Sequence, residues 1–101
     1  MAKSETSAAE KPHLVCGQCQ AVVAWPAGIK PADKAAIAAA ARGDPAAAAR
    51  MVETRYGLDE REARALAVHI TRPAGVCQRC RAPIAGAEVQ CAKCHAANLN
   101  W

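Results

Sequence analysis

The chain has 101 residues, a formal net charge of +4 and six cysteines. Its hydrophobic fraction of 52% owes much to alanine runs such as AAIAAAA at 35–41, and it contains no phenylalanine, two tryptophans and one tyrosine. At about 25 cal/mol per Å² of buried apolar surface, so few large side chains make a domain of this size only marginally stable. Small domains with so little apolar surface to bury usually rely on disulfides or on a structural metal.

The first residues, MAKSETSAAEKPHLV, lack the apolar segment of a secretory signal peptide. No stretch approaches the ~18 consecutive apolar residues of a membrane span. These features predict a cytoplasmic protein that does not enter a membrane. Thiols stay reduced in that compartment, which favours metal binding over disulfides. Residues 1–12 are polar and show no periodic pattern, so we expect a disordered tail there.

All six cysteines occur in three Cys-x-x-Cys turns, called here the first (16–19), second (77–80) and third (91–94) knuckles. Such a turn can aim both sulfurs at one ion, and two facing turns supply the four thiolates of a tetrahedral zinc site. The second and third knuckles are neighbours in sequence, so pairing them closes the shorter loop and costs less entropy. This predicts a zinc ribbon over residues 73–101, with short strands at RAPI and EVQ and with four ligands: Cys77, Cys80, Cys91 and Cys94.

The third knuckle is followed by a histidine, and CAKCH is also the attachment signature of a c-type haem. Covalent haem attachment takes place outside the cytoplasm, and it would leave the other two knuckles unexplained. We therefore expect zinc rather than haem.

The first knuckle, in a segment covering residues 13–30, has no obvious mate. Cys16 and Cys19 are candidate zinc ligands, and four arrangements stay open. They could form a second site with His13 and another histidine, pair with a later knuckle, meet a second copy of the chain in a dimer, or remain a free or redox-active dithiol. We expect His69, near the end of a helix, to cap that helix. The sequence thus predicts one zinc and allows a second, and it leaves the oligomeric state open.

Residues 31–72 carry the signals of two or three helices. A first helix is expected from Pro31 to Arg42, followed by a stop at Gly43. The next boundaries are a cap at Asp44 with Pro45 at the first helical position, an end at Gly57, and a capping box formed by Asp59 and Glu62. The predicted fold is a small α+β domain in which a metal-stabilised zinc ribbon accompanies this helical unit.

The stretch MVETRYGLDEREARALA (51–67) resembles the helical hairpin in the C-terminal domain of the bacterial ribosomal stalk protein. The matching positions are Gly57, Leu58, Arg61, Glu62, Ala63, Arg64 and Leu66. In that family the basic face of the hairpin contacts translation GTPases. The resemblance therefore implies a partner-binding role for Arg61 and Arg64.

Enzymatic motifs are missing from the sequence. It contains no His-x-Glu beside a knuckle, no His-Glu-x-x-His and no glycine-rich phosphate loop, so we expect a protein that is not an enzyme. The favoured function is a zinc-binding adaptor with a protein partner. One alternative is a thiol-redox or metal-responsive protein that uses Cys16 and Cys19. Another is a nucleic-acid-binding ribbon, whose phosphate contacts could come from Arg72, Arg79, Arg81 and Lys93.

Overall fold

A computed structural model of the protein describes residues 12–101, which form three helices and two antiparallel two-stranded sheets. The small α+β class is therefore confirmed. The predicted tail, apart from its last residue, lies outside the described residues. The elements in chain order are β1 (His13–Val15), β2 (Val22–Ala24), α1 (Pro31–Gly43), α2 (Pro45–Tyr56), α3 (Glu60–Val68), β3 (Glu88–Gln90) and β4 (Ala97–Leu99).

The helix boundaries follow local capping chemistry. The Asp44 carboxylate accepts a hydrogen bond from the Ala46 N–H at 3.1 Å, while the Asp44 N–H bonds to the last turn of α1. Gly57 ends α2 in the left-handed conformation, with φ of 70°. At the start of α3, the Glu62 N–H donates to the Asp59 carboxylate at 2.8 Å, and the Asp59 N–H donates to the Glu62 carboxylate at 3.3 Å. The capping box predicted at this position is confirmed.

The helices pack through small residues, which lets their backbones approach closely. Larger buried side chains fill the space between them at Ile37, Val52 and Leu66. The helical core continues into β4, where all three residues are buried. The backbone N–H of Leu99 donates to the carbonyl of His69 at 2.9 Å, so β4 is fixed to the end of α3. None of the helices in the described part of the chain is long and apolar enough to cross a lipid bilayer.

The C-terminal hairpin differs from the sequence prediction in one strand. EVQ forms β3 as expected, but its partner is β4, with Glu88 opposite Leu99 and Gln90 opposite Ala97. The predicted strand at RAPI is wrong, because those residues contribute only an isolated bridge between Val76 and Pro83. Proline has no N–H to donate to a sheet ladder, so this segment cannot extend into a regular strand.

Trp101 closes the hairpin against the helical unit. Its indole N–H donates to the Glu88 carboxylate at 2.8 Å, and the same carboxylate accepts a 2.7 Å ion pair from Lys34 of α1. The Lys34 ammonium also lies 5.5 Å from the centre of the Trp101 ring, within the range of a cation–π contact. These contacts place the C-terminal hairpin against α1.

Candidate metal centres

The three knuckles share one backbone geometry. In each, the N–H of the residue after the second cysteine donates to the carbonyl of the first cysteine, at 2.9, 3.1 and 2.8 Å in chain order. The first cysteine N–H in turn donates to the carbonyl five residues later, at 2.9, 2.8 and 2.8 Å. The residue after each second cysteine has a positive φ, although none is glycine: Gln20, Arg81 and His95. The same turn is therefore built three times.

The second and third knuckles bring four sulfurs together. The Sγ atoms of Cys77, Cys80, Cys91 and Cys94 all lie within 4.8 Å of one another. The Cys77–Cys94 and Cys80–Cys91 sulfur pairs are each 3.6 Å apart, far too long for a disulfide bond. Zinc–sulfur bonds of 2.3 Å in a tetrahedron place sulfurs about 3.8 Å apart, so this spacing suits a zinc ion. We call this group the four-cysteine cluster.

Ionisation of the four-cysteine cluster is uneven. Burial raises the pKa of the Cys77 thiol, but hydrogen bonds from the backbone N–H groups of Cys80 and Arg79 lower it more, to about 6. For Cys94, a backbone hydrogen bond from Ala96 lowers the pKa, but burial and the other three thiols raise it more, to about 12. Neighbouring thiolates repel each other, whereas a bound dication would stabilise all four as thiolates. The cluster is thus chemically suited to a divalent metal.

Asn98 of β4 forms hydrogen bonds to the backbone and to a cysteine sulfur of the second knuckle. Its side chain is completely buried, and its carbonyl oxygen accepts a hydrogen bond from the Gln78 N–H at 2.8 Å. Its amide donates to the Cys77 sulfur at 3.5 Å and to the Ala96 carbonyl at 3.1 Å. Hydrogen bonds of this kind to a ligand sulfur orient the ligand and stabilise the thiolate.

The first knuckle meets a histidine from the end of α3. The Sγ atoms of Cys16 and Cys19 and a ring nitrogen of His69 lie within 4.8 Å of one another, and we call this group the Cys2His cluster. The Cys19 sulfur is 3.5 Å from Nε2 of His69. Cys16 and His69 are buried, whereas Cys19 is exposed. Two cysteines and a histidine are donors that zinc commonly accepts.

The ring of His69 is oriented by the helix that carries it. Its Nδ1 lies 2.7 Å from the carbonyl oxygen of Ala65. A carbonyl can only accept, so Nδ1 carries a hydrogen, and Nε2 is the ring nitrogen that faces the Cys19 sulfur. This arrangement is typical of histidines that ligate metals.

The position of His69 settles part of the alternatives left open by the sequence. His69 does occupy the C-cap position of α3, as expected, but its ring also belongs to the Cys2His cluster. Its place as a candidate ligand is not apparent from the sequence, because it lies 50 residues beyond Cys19. His13 lies in β1 opposite Ala24 and is outside the cluster. The only available signal was the unmatched first knuckle itself, in a chain with three histidines.

Cys16 is held from several sides by backbone groups. Burial raises the pKa of its thiol, but hydrogen bonds from the backbone N–H groups of Ala97, Cys19 and Gln18 lower it more, to about 6. Two of these donors belong to the first knuckle and one belongs to β4. The knuckle therefore favours a thiolate, the form that binds metals.

The first and third knuckles touch each other directly. The Gly17 N–H donates to the His95 carbonyl at 2.8 Å, and the Gln18 side chain donates to the Cys94 carbonyl at 2.6 Å. A Cβ on Gly17 would lie only 2.6 Å from the His95 Cβ, so the approach needs glycine at this position. The two clusters consequently belong to one continuous structure.

A surface groove of about 480 Å³ opens beside the Cys2His cluster, and we call it the ligand groove. Arg61 and Arg64 lie along it on one face of α3, and the Arg64 guanidinium pairs with the Glu60 carboxylate at 2.7 Å. Its full lining is Cys19, Ala21, Glu60, Arg61, Arg64, Ala65, Val68 and His69. Two of the three residues of the Cys2His cluster thus face a space accessible from solvent.

Comparison with known proteins adds no family to these observations. No family model matches the chain, and no curated protein or solved structure is significantly similar to it.

Proposed function

We propose that this chain is a cytoplasmic, non-enzymatic zinc-binding adaptor whose four-cysteine cluster is the structural zinc site of a zinc ribbon. The observation that carries the proposal is the gathering of four cysteine sulfurs within 4.8 Å of one another. Four thiolates complete the tetrahedral coordination of zinc and leave no position for a substrate. Soft thiolate ligands also favour zinc over magnesium or calcium.

A structural role for this zinc agrees with the size of the hairpin that surrounds it. Both β3 and β4 are only three residues long, and an isolated two-stranded hairpin is at best marginally stable in water. Between the two knuckles, residues 81–90 contain β3 as their only strand, and none of their side chains is buried. A metal that crosslinks both knuckles supplies the stability that packing cannot.

The helical unit offers a surface for a protein partner. A groove of about 350 Å³ lies between α2 and α3, and it combines alanine side chains with Arg50, Glu53 and Arg64. Val68 at its edge is 45% exposed. A partner could bury these apolar side chains and pair its own polar groups with the charged ones. The resemblance to the ribosomal stalk protein also favours a partner on this helical hairpin.

Zinc analysis tests the structural part of the proposal. Purified protein should contain at least one zinc per chain, and a strong chelator should abolish the cooperative thermal transition of the C-terminal hairpin. Cys91→Ser should have the same effect. A metal-free protein that melts at the temperature of the purified form would contradict a structural zinc.

A pair of matched variants tests the partner surface. Val68→Asp places a charge at the edge of the groove, and Val15→Asp places the same charge on β1, where the valine is similarly exposed at 48%. A protein that co-purifies with the wild type should be lost with Val68→Asp and retained with Val15→Asp. Equal behaviour of both variants would rule out this surface.

A metal-responsive function is the second candidate, and the Cys2His cluster favours it. A site with an exposed thiol can gain or lose its metal without dismantling the four-cysteine cluster. A thiol-redox protein would use the same two cysteines. Treatment with a mild oxidant distinguishes a metal-responsive protein from a thiol-redox protein. A redox dithiol formed by Cys16 and Cys19 would oxidise reversibly in protein that has never bound a second metal.

A further inference from the structure

We propose that Cys16, Cys19 and His69 hold a second zinc ion whose fourth ligand is a small oxyanion, a carboxylate or a phosphate, bound in the ligand groove by Arg61 and Arg64. The inference rests on the zinc-binding function proposed above and assigns a ligand class to a second site. It concerns a site with exchangeable coordination, unlike the four-cysteine cluster.

The first knuckle has the same backbone geometry as the other two. It repeats the hydrogen bonds of the two knuckles that form the four-cysteine cluster. It also repeats their positive φ after the second cysteine, which is 65° at Gln20. A non-glycine residue in that conformation is strained and persists where the surrounding structure requires it. The turn that gathers the sulfurs of the four-cysteine cluster is therefore built a third time beside His69.

The Cys2His cluster supplies three of the four ligands of a tetrahedral zinc ion. Among residues 12–101, the Cys2His cluster contains three donors, and no fourth histidine, cysteine or carboxylate lies with them. Structural zinc sites have four protein ligands, whereas sites that exchange ligands keep three and leave the fourth position to water or another molecule. The donor set at this position matches the second kind.

The ligand groove gives a fourth ligand access to the Cys2His cluster. Cys16 is 1% exposed and lies on the side of the core. Cys19 and His69 instead line the ligand groove. The open side of the metal site therefore faces this groove, whose volume of about 480 Å³ falls within the range typical of small-molecule sites.

The ligand groove has more basic than acidic side chains. Two thiolates neutralise a zinc dication, so the arginines determine the sign of the groove. Arg61 and Arg64 outnumber Glu60, and within residues 12–101 the Arg61 guanidinium forms no ion pair. Guanidinium groups bind carboxylate and phosphate through paired hydrogen bonds. Zinc accepts an anionic oxygen, so both features select the same ligand.

Cobalt substitution tests the proposal. Co²⁺ in place of zinc absorbs visible light according to its ligands, and subtracting the spectrum of Cys19→Ser isolates the second site. His69→Ala provides an independent subtraction if one variant folds poorly. Acetate and inorganic phosphate are the probes. Each should change the difference spectrum in a saturable manner, and the wild type should contain two metal ions per chain but each variant only one.

The arginines are tested with a charge-matched control. The double variant Arg61→Ala, Arg64→Ala should bind acetate and phosphate about tenfold more weakly or worse, since it loses charge-assisted hydrogen bonds to the anion. Arg50→Ala with Arg55→Ala removes the same charge from α2, outside the ligand groove, and should leave both affinities unchanged. Equal weakening in the two double variants would show that only net charge matters and would overturn the site.

Other outcomes separate this inference from the proposed function. One metal per chain, retained in Cys19→Ser and lost in Cys91→Ser, would overturn the second site and leave the structural zinc intact. No bound metal at all would overturn both. A cobalt spectrum that stays the same when acetate or phosphate is added refutes the oxyanion ligand. The same conclusion follows if, without added anion, the cobalt spectrum of Glu60→Gln differs from that of the wild type. It also follows if the spectrum changes when Glu5→Gln and Glu10→Gln are combined in the N-terminal segment. In either case a carboxylate of the chain itself would be the fourth ligand.

Discussion

Gly17→Ala probes the contact between the first and third knuckles with the smallest possible change. The added methyl carbon would lie 2.6 Å from the His95 Cβ and 2.7 Å from its carbonyl oxygen. Nonbonded carbons normally sit at about 3.5–4.0 Å, so the two knuckles must separate by about 1 Å. Because the second atom is backbone, a change of side-chain rotamer cannot relieve the clash.

The cost follows from that displacement. The hydrogen bond from the Gly17 N–H to the His95 carbonyl is 2.8 Å, and an extra ångström takes it beyond the range of a hydrogen bond. Losing the bond costs about 1 kcal/mol, and overpacking adds about 1–3 kcal/mol. We expect a total of about 2–4 kcal/mol, a large part of the about 5–15 kcal/mol that stabilises a typical domain.

Thermal unfolding followed by far-UV circular dichroism measures this effect in zinc-loaded protein. The midpoint of Gly17→Ala should fall by roughly 10 °C or more. Gly43→Ala is the matched control, because Gly43 ends α1 with no atom near the position of an added Cβ. Alanine favours the helix there by about 0.5–1 kcal/mol, so the control should be neutral or slightly stabilised. Equal midpoints for Gly17→Ala and the wild type would refute the contact between the knuckles.

Three further predictions follow from the sites and the helices. Cys91→Ser should unfold the C-terminal hairpin, because structural zinc contributes about 10–16 kcal/mol in small finger domains. Cys16→Ser should lower the melting midpoint less and remove only the second metal. If thermal melts with zinc counting show Cys16→Ser to be the more damaging variant, the assignment of the two sites is disproved. Replacing Arg61 and Arg64 together with alanine should change the melting midpoint little, because both side chains are exposed; a cooperative loss of helix at moderate temperature would mean that they hold structure. Asp59→Ala removes the cap of α3 and should cost about 1 kcal/mol in denaturant titrations, whereas Asp59→Asn, which keeps an accepting oxygen, should recover most of it.

The parts of the fold that the sequence predicted depend on local chemistry. The ends of α1 and α2 follow from Gly43, Asp44 and Gly57, whose effects act within one helical turn. The four-cysteine cluster was also predictable, because its two knuckles are close in sequence and each knuckle places its sulfurs by its own backbone. Such features need no knowledge of distant contacts.

The features that escaped prediction depend on contacts between distant parts of the chain. His69 carries no local mark of a ligand, since its role depends on the first knuckle, 50 residues earlier. The partner of β3 was misassigned because Pro83 cannot donate to a ladder and because ANL at 97–99 reads as a weak strand. That strand is stabilised by burial and by the Leu99 N–H bond to the end of α3.

The contact between the first and third knuckles also has a consequence for the order of assembly during synthesis. The first knuckle is synthesised before its partners, because Gln18 bonds to Cys94, 76 residues later, and Cys19 meets His69, 50 residues later. Contacts between such distant positions form late because their loops must close first. Cys16 and Cys19 therefore stay apart from His69 during most of their synthesis, and the Cys2His cluster can form only after α3 has folded. Until then Cys16 lacks the contacts that bury it in the folded chain.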